Sequence, residues 1–245
     1  MIHQYQLRLS AADGRRLPYA EAYRLYAWLL EQLPEEAAEA LHQQNAHLLA
    51  QSLRFDPAAG TNLWTISVFA DDPAAAILSI LSKTEKIELH ETGTLQAEVT
   101  GQKTLRARDL ILREDGETGR RTELRFLTPT AFRQAGRYAI YPQESLVLQS
   151  LVSSWNAAFP ETALQDPDAL QAVLQGLHIT DYRLRTTRFL LKGARIPGFL
   201  GSITVDAKLA LPLKELWNAL LGLAPYTGIG IKTALGMGAV EVGRL

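Results

Sequence analysis

Five histidines and no cysteine bound the chemistry open to this chain of 245 residues. Without thiols there are no disulfides, no thiolate nucleophile and no zinc ribbon. Imidazole titrates near neutrality, so histidine is the side chain best placed to take or give a proton at physiological pH. His42 and His47 stand five residues apart in one predicted loop, with QQNA between them. For each the alternative is a solvated surface histidine. His3 on the first predicted strand, His90 on a polar strand and His178 near a strand start read as structural or exposed.

A second signal is glycine. Residues 225–240 read PYTGIGIKTALGMGAV, with Gly228, Gly230, Gly236 and Gly238 surrounding Lys232 and Thr233. Glycines let a backbone approach a ligand closely. Exposed N–H groups beside a lysine suit phosphate oxygens. A Walker A loop is excluded, because that motif needs Gly-Lys-Ser/Thr opening a helix after a strand, whereas Lys232 follows Ile231 in a segment that leaves a helix. A dinucleotide fingerprint fails on the same topology. The competing reading is a tight packing loop.

The third signal is arginine. Arg183, Arg185, Arg188, Lys192 and Arg195 lie in a stretch, Tyr182 to Val205, that contains no Asp or Glu. Alternation puts Arg183 and Arg185 on one strand face and Arg188 on the other unless a bulge intervenes. Such arginines suit phosphate contacts or base stacking, with a solvated strand face as the alternative. Arg106, Arg108, Arg113, Arg120 and Arg121 are mixed with acids and read as solvated surface. The charge is split along the chain. Residues 1–100 carry 7 Lys and Arg against 13 Asp and Glu, and residues 101–245 carry 18 against 13. A basic C-terminal half hints at a polyanionic partner.

The elements that must position these residues follow from periodicity. Strands are predicted over 2–10, 48–55, 62–70 and 86–100, with helices over 19–33, 35–46 and 73–83, the last capped by Asp71 and Asp72. Residues 101–121 read as a polar connector. Beyond it come a strand over 122–127, helices over 143–158 and 167–175, and alternating strands over 177–191 and 199–210 joined at IPG. A helix over 212–223 and a strand over 238–243 close the chain. The β-α-β-β-α-β order therefore occurs twice. That predicts an α+β chain of two tandem ferredoxin-like domains, residues 1–115 and 116–245. The composition, 47% hydrophobic and 21% charged, is that of a globular protein. No apolar run approaches the roughly 18 residues that span a bilayer, and the N-terminus lacks a signal-peptide core, so a soluble cytoplasmic protein without a membrane partner is expected.

The segment GIGIKTALGMGAV resembles the C-terminal glycine-rich motif of the CRISPR-associated RNA-processing endoribonucleases of the RAMP superfamily. LTPTAFRQAGR, SSWNAAFP, ITDYRLRTTRFLLKG and PGFLGSITV occur in the order of that family's C-terminal domain. The resemblance implies cleavage of precursor RNA within each CRISPR repeat, without metal or cofactor. The ribose 2′-OH attacks the adjacent phosphate, leaving a 2′,3′-cyclic phosphate and a 5′-OH. It implies His42, after Leu41, as the catalytic histidine, with His47 as the second candidate. It adds weight to Arg133 and Arg137 and to the glycine-rich segment as RNA contacts. Some relatives use a tyrosine from the helix before the histidine, where Tyr23 and Tyr26 also fit an apolar stripe. The lysine that some relatives carry after the histidine is absent, since no lysine occurs before Lys83. Arg54 is a candidate for stabilising the phosphorane. The alternatives are a non-catalytic RNA-binding subunit of a CRISPR interference complex and a protein-interaction domain with no RNA role. Interference-complex subunits and a second copy of the chain stand beside the repeat RNA as candidate partners.

Overall fold

A computed structural model describes residues 1–42, 48–90, 92–112 and 120–244, the side chains of His42 and Arg244 excepted. Strand β1 (Ile2–Ala11) turns Tyr5, Leu7 and Leu9 to one face, where all three are buried. Helix α1 (Glu21–Gln32) buries Ala22, Leu25, Tyr26 and Leu29, a stripe at three- and four-residue spacing. Pro34 divides it from α2 (Glu35–His42). The first unit is completed by β2 (Leu49–Asp56), β3 (Thr61–Val68), α3 (Asp71–Leu81), β4 (Lys86–Leu89) and β5 (Gly93–Leu105). Its antiparallel sheet runs β2-β3-β1-β5-β4. With β4 set aside as an added edge strand, this is a ferredoxin-like sheet with its helices on one face.

A short helix α4 (Ala107–Ile111) leads to β6 (Arg121–Thr130), a hairpin of β7 (Phe132–Gln134) and β8 (Arg137–Ala139), and helices α5 (Glu144–Ala158) and α6 (Pro167–Gly176). The long strands β9 (Leu177–Leu191) and β10 (Ala194–Ala207), helix α7 (Leu211–Thr227) and strand β11 (Val240–Arg244) follow. The second sheet, β11-β6-β10-β9, repeats the order of the first. The chain is thus α+β with two ferredoxin-like domains in tandem. Each has its own core, and Ile2, Ala50 and Phe69 of the first unit pack into the core of the second. Among the described residues no helix is long and apolar enough to cross a membrane.

Several expectations need correction. Ile196-Pro197-Gly198 is no joint but lies inside β10, and the turn falls at Lys192-Gly193, both in the left-handed region at φ 48° and 78°. Pro197 is tolerated there because pairing with β6 begins only at Phe199, so the strand is bonded on one side at that point. The connector is largely ordered structure: β5 runs to Leu105, and α4 buries Ala107 and Leu110 in the second core. The sheets change over between Leu105 and Arg121. Asp71 and Asp72 lie in the first turn of α3, not at its cap. They suit the positive end of the helix dipole, while the cap position is Ala70. The β7–β8 hairpin, closed by Ala135-Gly136 at φ 48° and 78°, is an element the periodicity did not reveal.

Candidate active site and RNA-binding surfaces

The histidine-bearing segment hangs between two fixed points. Upstream, the Tyr26 hydroxyl donates to the carbonyl of Leu41 at 3.3 Å and pins the end of α2. Burial pushes the Tyr26 phenol above its ordinary value, so it stays protonated at neutral pH and serves as a strut. Downstream, β2 starts at Leu49. His42 ends α2 as backbone; its side chain and the whole of His47 lie outside the described residues. Tyr23, one turn before Tyr26, is half-buried, and Lys192 from the β9–β10 turn lies 5.3 Å from its ring centroid. His3 is engaged elsewhere, with Nε2 2.9 Å from Asp71 Oδ1. That contact holds the Asp71 carboxyl below the ordinary carboxylate value. His90 and His178 are exposed.

The glycine-rich segment is where the two domains meet. It folds as α7, a turn of 3-10 helix at Thr233–Leu235, and β11. Its glycines are surrounded by protein. A Cβ on Gly236, which sits at φ 102°, would meet the Cβ of Ala22 in α1 at 2.5 Å, and one on Gly230 would meet the Ala131 carbonyl at 2.5 Å. Gly228 and Gly238 crowd each other's strands of the loop in the same way. Four of the segment's backbone donors are also consumed internally. Gly230 N–H donates to Ser150 Oγ at 2.7 Å, Ile231 N–H to Ala131, Gly236 N–H to Thr233 and Gly238 N–H to Pro129. Those N–H groups are therefore not an open phosphate cradle, contrary to the expectation. The glycines instead permit a dense loop that presents Lys232, exposed at φ 57°, and Thr233, half-buried.

Gln51 was missed by the sequence reading, and it ties this arrangement together. It is 5% exposed, donates from Nε2 to the carbonyls of Ala22 (2.9 Å) and Ala234 (2.8 Å), and accepts from Trp64 Nε1 at 2.6 Å. One amide thus joins α1, β2, β3 and the glycine-rich loop of the other domain. Its signal was a polar residue in the inward register Leu49, Gln51, Leu53 of β2. On the outward register of β2, Arg54 donates to Glu241 of β11 at 2.7 Å. Both partners are more than a third exposed, so this ion pair adds about 0–1 kcal/mol, and the buried Gln51 contacts fix the domains more firmly. Arg54 is therefore paired with a carboxylate of the other domain.

The arginines fall into two groups on opposite faces of the second sheet. Arg183 and Arg185 are exposed on the face away from α5 and α7. Register aligns Glu241, Arg125, Ser202 and Arg183 in one row across all four strands of that face. Arg125 was overlooked in the sequence and pairs with Glu123 at 3.1 Å. Arg188 lies on the opposite face, since register between β9 and β10 is unbroken from Arg183 to Arg188. Arg133 and Arg137 are exposed on the β7–β8 hairpin, which docks on the helical face by stacking Phe132 on Phe199. Arg120 is not merely solvated: it forks onto buried Asp206 at 2.5 and 2.7 Å and holds that carboxyl below its ordinary value. Arg106, Arg108 and Arg121 are exposed, and Arg113 lies outside the described residues.

Comparison with known proteins bears on this arrangement. The family model described as CRISPR-associated endoribonuclease Cas6 matches residues 124–240, from β6 to the start of β11. A curated CRISPR-associated endoribonuclease Cas6 of Streptococcus thermophilus is 28% identical over 222 residues, covering 90% of this chain and 90% of that protein. One from Mycobacterium tuberculosis is 35% identical over 123 residues, 50% of this chain and 39% of that protein. Among solved structures, a Cas6 product complex superposes over 99% of this chain and 100% of that chain with a TM-score of 0.81 at 23% identity, a likeness of fold. With the family model taking in the second domain and a curated relative running through 90% of the chain, the chain is similar to the CRISPR-associated endoribonucleases of the Cas6 family along most of its length.

Proposed function

We propose that this chain cuts CRISPR repeat RNA in the precursor transcript to release guide RNAs, and that it does so without a metal. The observation that carries the reading is the curated endoribonuclease match that extends through the N-terminal domain, where the candidate histidines lie. A binding-only subunit of an interference complex is less well supported, because it needs basic surfaces alone. In the proposed step the ribose 2′-oxygen bonds to the adjacent phosphorus and the P–O5′ bond breaks. The 2′-OH proton leaves to a base, and the departing 5′-oxygen gains one from an acid. His42 serves as one of these groups, with His47 as the alternative. Lys232 and Thr233 contact the RNA from the glycine-rich loop, whose glycines Gly228, Gly230, Gly236 and Gly238 shape it. Arg183 and Arg185 contact phosphates on the open sheet face, and Arg133 and Arg137 do so from the hairpin.

The test is incubation of purified protein with the repeat RNA encoded beside its gene, followed by mapping of the product ends. A single cut per repeat, with a 2′,3′-cyclic phosphate and a 5′-OH, is expected with or without EDTA. A 2′-deoxy ribose just upstream of the cut should abolish cleavage, because it removes the nucleophile. Cleavage of the deoxy substrate, or its arrest by EDTA, would overturn the 2′-OH mechanism. Binding without any cut would favour the non-catalytic subunit.

A further inference from the structure

Two tyrosines stand outside everything described so far. Tyr141, just before α5, and Tyr182, on edge strand β9, meet edge to face, with ring centroids 5.8 Å apart and planes at 86°. They are 47% and 57% exposed, so core packing does not account for them. The backbone aims Tyr182 at this spot. Val205 of β10 opposes Ile179 and Thr204 opposes Asp181, which leaves Thr180 as an extra residue. Such a bulge reverses the facing of every residue after it. Without it Tyr182 would project onto the open face. With it Tyr182 shares the helical face with Ile203, while Asp181 and Arg183 project onto the open face.

The pair borders an open hollow of about 520 Å³, lined also by Pro142, Gln143, Thr180 and Asp181. A smaller hollow shares Asp181 and Tyr182 and is walled by Arg183 and Ser202. Both therefore lie along β9, the edge strand, which has no strand partner on its outer side. The chemistry on offer is therefore an aromatic surface, a carboxylate acceptor and a guanidinium one residue along. An unpaired nucleotide uses all three. Its base stacks on a ring, an exocyclic amino group donates to Asp181, and its phosphate pairs with Arg183.

We propose that Tyr141 and Tyr182 form a stacking platform for one unpaired, amino-bearing base of the bound RNA, at the point where the RNA passes around β9 from the open face to the helical face. The proposal rests on the RNA-processing reading above. It also explains how arginines on opposite faces of one sheet can engage a single strand.

The test is titration of repeat RNA, made uncleavable by a 2′-deoxy ribose at the cut, into wild type, Y141A/Y182A and Y141F/Y182F. Both side chains are about half exposed, so the variants should fold, which circular dichroism checks. The alanine pair should raise Kd by about tenfold or more, and the phenylalanine pair, which keeps the rings, should stay near wild type. Scanning the RNA with single abasic sites should find one position whose loss weakens wild-type binding but adds nothing in Y141A/Y182A. Wild-type affinity in the alanine pair, or no abasic position coupled to it, would overturn the platform alone. Failure of the wild type to bind repeat RNA would overturn the RNA reading and the platform with it.

Discussion

At the scale of single residues, the proposed proton transfer is assigned to the segment that joins α2 to β2. Tyr26 anchors one end through the Leu41 carbonyl, and its raised phenol pKa leaves it without a role as a base. In the proposed reaction histidine serves as the proton-transfer group. His42→Ala should slow cleavage by about 10²–10⁴-fold while repeat RNA still binds with near wild-type affinity. Single-turnover cleavage and filter binding on the same preparation separate the two effects. His47→Ala is the control: a dead His47 variant beside an active His42 variant moves the role five residues along. Normal cutting by both single variants and by the double variant would remove histidine catalysis from this segment.

At the scale of elements, the glycine-rich loop carries two properties that the bare motif merges. Its glycines serve packing, and its exposed lysine is free to serve recognition. Gly236 sits at φ 102° with Ala22 of α1 pressed against the space a side chain would fill. Gly236→Ala should therefore destabilise the fold by about 1–3 kcal/mol, from backbone strain alone, before the clash is counted. Urea denaturation reads that loss. Lys232→Ala removes an exposed charge and should leave the denaturation midpoint in place while weakening RNA binding. If Lys232→Ala binds normally, the loop acts as a domain joint only. This outcome differs from what glycine content suggests. A phosphate loop keeps its N–H groups open, whereas this one donates them to Ser150, Ala131 and Pro129.

At the scale of the whole molecule, charge and domain contact act together. The basic C-terminal half offers Arg183 and Arg185 on an exposed sheet face, beside a domain boundary fixed by Gln51. Replacing both arginines by alanine should weaken RNA binding and flatten its salt dependence. The slope of log K against log salt should fall by about 0.7 for each lost phosphate contact on single-stranded RNA. Affinities measured between low and moderate salt check this. An unchanged slope would place the RNA on the hairpin arginines or on the basic residues around Arg106 and Arg121 instead.

The sequence by itself determined the two-fold repeat of β-α-β-β-α-β, because most strands and helices of each unit carry an apolar periodicity that local chemistry enforces. It also carried the resemblance to the CRISPR-associated endoribonucleases, since the glycine-rich segment and the stretches before it stand in that family's order along the chain. Tertiary structure alone decided what the glycines touch. Gly236 and Ala22 lie more than 200 positions apart, and no local pattern reports a contact between domains. It decided that Gln51 is a buried joint and that Arg54 and Arg120 are bound by carboxylates, because each has a partner far along the chain. It placed the strand turn at Lys192-Gly193 instead of at IPG, since a proline inside a strand is tolerated only where one neighbour is missing. A single inserted residue at Thr180 then set which face each side chain of β9 takes, and a bulge leaves no mark in alternation until the opposing strand is known.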